Sequence, residues 1–244
     1  MIDFLCNICG SNCSVETIDR EVPSCQSCGS NARFRWIVEA LSMELFGRSL
    51  LLKDFPKRKD IRGLGMSDPD PLPDTLEVCF DYINTGYDIE PKLDILNPPP
   101  QFGAFDFIVS SEVFEHVQPP IQTAFNNLAR MLKPGGSVIF SVPWGWPGDT
   151  VEFFPGLYDY EVVKLRSGYV LVNRTRDGQL ETFDGLVFHG GAGATLLVRD
   201  FSVSGIAANC EAAGLTMTIA EETDLRYGIV WEKWSRGMVL RKSR

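Results

Sequence analysis

The chain is short of positive charge, of histidine and of long apolar runs. It carries 23 Lys and Arg against 32 Asp and Glu over 244 residues, a formal net charge of -9. Gripping a phosphate backbone needs clustered cations, so this balance argues against nucleic acid as a partner. The one basic stretch, Lys53 to Arg62 (KDFPKRKDIR), reads as a solvated connection. No window approaches the ~20 apolar residues of a membrane span, so none is expected. The first residues, MIDFLCNICG, hold neither a basic segment nor an apolar run, so no leader is expected and the expected location is cytoplasmic. In that reducing setting the seven cysteines are thiols or metal ligands rather than disulfides. Internal repeats and low-complexity tracts are missing. Imidazole comes only from His116 and His189.

Five of the seven cysteines lie within the first 31 residues. Cys6-x-x-Cys9 and Cys25-x-x-Cys28 stand fifteen residues apart, and a glycine follows each second cysteine. Two such knuckles supply four thiolates in a tetrahedron, which suits a structural Zn²⁺ with no open position. Thirty-odd residues bury little core alone, so the metal would supply folding energy. Cys13 is spare. A redox role for either pair is the competing reading.

Residues 1–31 therefore read as a zinc-ribbon-like module, 32–60 as a connecting helix and loop, and 61–244 as the main domain. Phe34, Ile37, Val38, Leu41 and Leu45 recur at helical spacing from Ala32 to Phe46, with Gly47 to end the helix. Short strands are expected at Ile61–Met66 and within Tyr87–Ile95, with a helix or turn at Thr75–Phe80. Phe105–Ser110 is nearly all apolar, as in a strand buried on both faces. The pattern then predicts a helix at Ile121–Leu132, a Lys133-Pro134-Gly135-Gly136 turn and a strand at Ser137–Val142. Residues 145–195 read as a β-rich insertion, with strands Tyr160–Leu165, Tyr169–Asn173 and Leu180–Phe183 joined by Ser-Gly and Asp-Gly turns. A helix at Ser202–Ala213 and strands at Leu215–Ala220 and Gly237–Lys242 complete the pattern.

Polar residues at the carboxyl end of a buried strand mark a ligand site in α/β sheets. Ser110-Ser111-Glu112-Val113-Phe114-Glu115-His116-Val117 holds that position. FDFIVSSEVFEHV followed by LKPGG resembles the central part of a class I S-adenosylmethionine-dependent methyltransferase, over about residues 61–143. The resemblance implies a Rossmann-like, doubly wound, mostly parallel seven-stranded sheet with an antiparallel last strand. It implies S-adenosylmethionine as cofactor. Gly63 and Gly65 would form the cofactor turn with Asp68, although the third glycine of the usual turn is missing; a plain strand and turn is the other reading. Glu90, in Asp88-Ile89-Glu90-Pro91, would take the ribose hydroxyls, and Asp94 would lie near the adenine amino group. Either acid could equally be a surface carboxylate. Ser111 and Glu112 would flank the methionine part or the adenine.

Methyl transfer from a sulfonium needs mainly positioning and exclusion of water. If a base is needed, His116 or His189 is the candidate; the plainer readings are a braced loop and a hydrogen-bonded turn. Trp144, Trp146, Phe153, Phe154, Tyr158 and Tyr160 could stack a sugar or planar acceptor, or fill the insertion's core. The stretch from Pro143 through FHGGAGATLLVRDFS also resembles a subgroup with N-terminal cysteine knuckles, which look like enzymes acting on glycans. Phe153 departs from the histidine found there in related sequences. The expected activity is methyl transfer to an O or N nucleophile of a small-molecule or glycan acceptor. The competing function is a catalytically silent fold serving as a zinc-containing binding module. A nicotinamide oxidoreductase would need a complete Gly-x-Gly-x-x-Gly, which is absent.

Overall fold

Ile108 and Val109 are adjacent in one strand, point to opposite sides and are both fully buried. Such a strand needs cover on both faces. The computed structural model, which describes residues 1–144, 148–220, 223–232 and 235–244, provides it with helices on each side of a sheet. The chain opens with the antiparallel hairpin β1 (Ile2–Leu5) and β2 (Asn12–Val15). Helix α1 (Ala32–Phe46) follows. Asn31 Oδ1 accepts from Phe34 N at its start, and Gly47, at φ 64°, turns the chain at its end. A 3-10 turn at Leu52–Asp54 leads into β3 (Arg58–Met66), α2 (Leu72–Cys79) and β4 (Phe80–Thr85). Next come β5 (Phe105–Ser111), a 3-10 turn at Phe114–His116, α3 (Ile121–Met131) and β6 (Leu132–Ser141).

Beyond β6 lie β7 (Val151–Glu152), β8 (Asp159–Leu165), β9 (Gly168–Arg174), β10 (Leu180–Phe183), β11 (Phe188–His189), β12 (Thr195–Leu196) and β13 (Arg199–Asp200). Helix α4 (Val203–Ala212), capped by Ser202 Oγ, precedes β14 (Leu215–Ile219), a 3-10 turn at Leu225–Tyr227 and β15 (Met238–Lys242).

The main sheet runs β14-β15-β6-β5-β3-β4. The last four of these are mutually parallel, and β15 is antiparallel to both β6 and β14. Among the described residues it has six strands, not the seven expected. The strand expected within Tyr87–Ile95 does not form. Tyr87 to Lys92 is exposed, Pro91 has no amide to give, and only an isolated bridge joins Gly86 to Lys92. The strand instead falls at Phe80–Thr85, where Phe80, Tyr82 and Thr85 are buried.

One face of the sheet packs on α3 and α4 through Phe105, Ile108, Val138 and Phe140. The other packs Phe107, Val109 and Ile139 against α1 and α2. Phe4, Cys6, Ile8 and Cys25 belong to that second cluster, so the cysteine-rich segment shares the sheet's core instead of hanging beside it. Arg35 of α1, fully buried, donates to Ser30 O, Ser24 Oγ and Gly228 O and so ties that segment to the body. Strands β8, β9 and β10 form a separate antiparallel sheet. Phe154, Leu157, Leu171, Leu196 and Val198 make its own small core, with Tyr160 packed against it. Phe154 and Tyr160 are thus packing residues. Trp146 lies outside the described residues.

Candidate functional site

The chain leaves β3 toward β4 on one side and later returns to β5 on the other. Where two parallel neighbours diverge like this, a crevice opens outside their carboxyl ends. Each of these ends is followed by a residue in left-handed backbone: Ser67 after β3 (φ 63°) and Glu112 after β5 (φ 57°). Residues with a Cβ avoid that region, and strain of this kind gathers at ligand sites. It is held by Ser67 N donating to Thr85 O at 2.7 Å and Glu112 N donating to Ser141 O at 2.8 Å.

On the β3 side, Gly65 lies against Tyr82, Asn84 and Asp68. A Cβ there would sit 2.0 Å from Tyr82 Oη and 2.7 Å from Asp68 Oδ2. Gly63 is similarly pressed by the Phe107 ring, 2.2 Å from a hypothetical Cβ. Close approach therefore explains both glycines. Asp68 accepts from Tyr82 Oη, its amide donates to Asn84 Oδ1, and its Oδ1 has no partner. Burial pushes its carboxyl up to about 7, against the pull of the Tyr82 hydroxyl and the Arg33 charge.

A carboxyl raised above its unfolded value of ~3.9 contributes stability below that pH and loses it as pH rises through the folded value. Unfolding free energy should therefore fall between about pH 4 and 7, by up to ~1.4 kcal/mol per unit from this group. Asp68→Asn should flatten that slope in urea titrations at stepped pH. An identical slope in the variant would mean that the group is already ionised.

On the β5 side, the N-terminal segment reaches into the crevice. Arg20, 3% exposed, donates from Nη2 to Glu112 Oε1 at 2.7 Å and also pairs with Glu21. Ser141 Oγ donates to the same Glu112 oxygen at 2.8 Å. Arg33 Nη1 donates to Ser111 Oγ at 2.6 Å, and its other nitrogens hold Glu21. Arg20, Arg33 and Ser141 were not among the residues singled out by sequence. Their neighbours carry no motif, and only the fold brings them to Ser111 and Glu112. Glu90 lies on the exposed loop at residues 87–92, its side chain accepting from Lys92 N. Asp94 closes its own turn, accepting from Leu96 N and Asn97 Nδ2.

Glu115, His116 and His189 converge at the next turn. Glu115 is fully buried, and neither carboxylate oxygen has a hydrogen-bond partner. Its Oε1 is 3.6 Å from His116 Nε2 and 3.7 Å from His189 Nδ1. Burial pushes this carboxyl up to about 7 although His189 pulls it down. Burial also holds His116 below the ordinary imidazole value. The insertion brings His189 here: β11 pairs with β12, Val198 N donates to Glu115 O at 2.9 Å, and Arg199 Nη1 to Phe114 O at 2.6 Å.

The four knuckle cysteines also meet. Cys6 and Cys28 sulfurs are 3.7 Å apart, Cys9 and Cys25 3.6 Å, and all four lie within 4.8 Å of one another. Thiolates ~2.3 Å from a tetrahedral centre stand about 3.8 Å apart, so this donor set fits zinc. Gly10 N and Gly29 N close the two turns onto Cys6 O and Cys25 O, both at 2.8 Å. At Cys25 burial raises the thiol, but hydrogen bonds with the Cys28 and Ser27 amides and with the Cys9 and Cys13 side chains together outweigh it and hold it down at about 6. Cys13 stays outside the tetrad, donating to Ser11 O at 3.7 Å.

Residues 67–168 match the family model of a methyltransferase domain. No curated protein matches the chain. Among solved structures, the citrinin polyketide synthase CMeT domain is 14% identical at a TM-score of 0.51, covering 88% of this chain and 54% of its own. The sugar N-methyltransferase KedS8 from Streptoalloteichus sp ATCC 53650 is 13% identical at 0.48, covering 87% of each chain. The S-adenosylmethionine-bound amino pentose methyltransferase CalS10 from Micromonospora echinaspora is 14% identical at 0.45, covering 75% of this chain and 84% of its own. The fold is the Rossmann-like methyltransferase fold with a central mixed sheet.

Proposed function

We propose that the protein is an S-adenosylmethionine-dependent methyltransferase acting on an oxygen or nitrogen nucleophile of a small-molecule or glycan acceptor. One observation carries this reading: the polar groups of Asp68, Ser111, Glu112 and Arg33 gather where β3 and β5 diverge, in a methyltransferase fold. A sulfonium nucleoside brings a cation, ribose hydroxyls and a carboxylate. Glu112 complements the first, and the Arg33 guanidinium complements the last. Gly65 keeps the floor of the crevice low, and Gly63 leaves room for the Phe107 ring beneath it. Glu115, His116 and His189 serve the acceptor. Zinc in the Cys6, Cys9, Cys25 and Cys28 tetrad is structural, since four thiolates leave no open position. All seven cysteines are free thiols. No helix among the described residues is long and apolar enough to cross a membrane.

Mass spectrometry of the purified protein for bound nucleoside, followed by labelled methyl transfer to an acceptor panel, tests the activity. No nucleoside and no transfer would favour a silent binding module instead. The ribose acid is tested separately. Glu90→Ala should weaken S-adenosylhomocysteine binding by ~1.5–3 kcal/mol, the worth of hydrogen bonds to a charged group. Asp94→Ala should weaken it at the adenine end. Unchanged affinity in Glu90→Ala would mean that the ribose acid is elsewhere.

A further inference from the structure

We propose that Glu115, His116 and His189 form a second metal site, separate from the thiolates, which holds one divalent transition-metal ion with open positions for an acceptor hydroxyl. The site itself rests on the three side chains; its use in catalysis rests on the methyltransferase reading.

Three observations carry the site. The carboxylate oxygen and the two ring nitrogens all lie within 4.8 Å of one another. The Glu115 contacts of 3.6 and 3.7 Å are too long for hydrogen bonds. They are near the roughly 3.0–3.4 Å between N and O ligands that each sit ~2.1 Å from one ion. Second, Glu115 is buried with both oxygens unpartnered. An uncompensated buried carboxylate is costly, and a bound cation removes the cost. Third, the Nδ1 of His116 lies 2.7 Å from Leu196 O. Donating that proton leaves the Nε2 lone pair directed at Glu115, the usual way a protein orients a metal-binding imidazole. Val198 N and the Arg199 guanidinium, two and three residues beyond this carbonyl, hold the segment onto the turn that carries Glu115. The charge of Glu112 acts on all three groups and adds to the attraction for a cation.

Two imidazoles and one carboxylate suit first-row divalent ions rather than calcium or magnesium. Three protein ligands leave positions free, in contrast to the closed thiolate tetrad. The His189 side chain is 39% exposed, which gives an entry path. A hydroxyl bound to the ion becomes more acidic and loses its proton to solvent. The oxygen then forms its bond to the methyl carbon as the carbon–sulfur bond breaks. The electron pair of that bond stays on sulfur, and the sulfonium becomes a neutral thioether. The histidines thus hold an ion rather than carry the proton.

Manganese separates this site from the tetrad, because Mn²⁺ competes poorly for thiolates. Protein carrying one zinc per chain, freed of excess zinc, then titrated with Mn²⁺ and followed by electron paramagnetic resonance, should take up one manganese ion per chain. Glu115→Gln and His189→Ala, with native far-ultraviolet dichroism, should each weaken uptake about tenfold or more. His189 is partly exposed, so its variant keeps the test open if Glu115→Gln misfolds. No uptake by the native protein, or undiminished uptake by His189→Ala, would overturn the proposal. Cofactor binding measured on the same sample reports separately on the methyltransferase reading: manganese bound without cofactor leaves the site standing and removes its role.

Discussion

Replacing Cys25 by serine should release the ion from the thiolate tetrad and destabilise the entire chain as one cooperative unit. The sequence suggests a gentler result, with a detachable module loosening and the main sheet left intact. The packing reverses that expectation. Phe4, Cys6, Ile8 and Cys25 share one buried cluster with Trp36 and Leu41 of α1 and with Phe107, Val109 and Ile139 of the sheet. Losing the knuckles would expose that face and strand the guanidinium of Arg35, whose partners include Ser24 and Ser30 in the second knuckle region. Zinc binding in small thiolate sites is worth ~10–16 kcal/mol. Whole domains are stable by only ~5–15 kcal/mol. Loss of one ligand therefore reaches the whole structure. Thermal unfolding followed by tryptophan fluorescence should show a single midpoint lowered by about 10 °C or more. A native midpoint with early loosening of the first 31 residues would show that the segment is separable after all.

Arg20→Ala should cost about 3–5 kcal/mol, the range for breaking one side of a buried ion pair. Arg20 is 3% exposed and Glu112 20% exposed, so little water reaches the pair. The stranded Glu112 carboxylate would keep only Ser141 Oγ, with its charge still acting on the buried Glu115. Glu112→Gln in the Arg20→Ala background should restore part of the stability, and the double-mutant cycle isolates the pair. Chemical denaturation measures all four forms. A loss below ~1 kcal/mol in Arg20→Ala would place the pair with ordinary surface bridges.

Local signals were legible where one short stretch decides the outcome. Asn31 and Gly47 bound α1 through capping, and the Cys-x-x-Cys spacing brings the four sulfurs together. The turns at Ser167-Gly168 and Asp177-Gly178 mark the hairpins of β8, β9 and β10. The strand beside β3 was not legible. Phe80–Thr85 and Tyr87–Ile95 both offer apolar residues, and pairing with Arg62–Met66 selects the first. The charged part of the crevice was half legible. Ser111 and Glu112 follow from the end of a buried strand. Their arginine partners stand 78 and 92 residues away, and nothing local links them. Glu115 and His116 stood out together, but their convergence with His189 depends on β12 and β13 lying across the turn.

Calorimetric titration of the zinc-loaded protein with S-adenosylmethionine and S-adenosylhomocysteine asks whether the crevice holds the nucleoside. One saturable site per chain is expected for each nucleoside, weakened when Glu112 is replaced by alanine. No heat and no competition from either compound would contradict it, and would leave a methyltransferase-shaped scaffold with an empty purpose for its crevice.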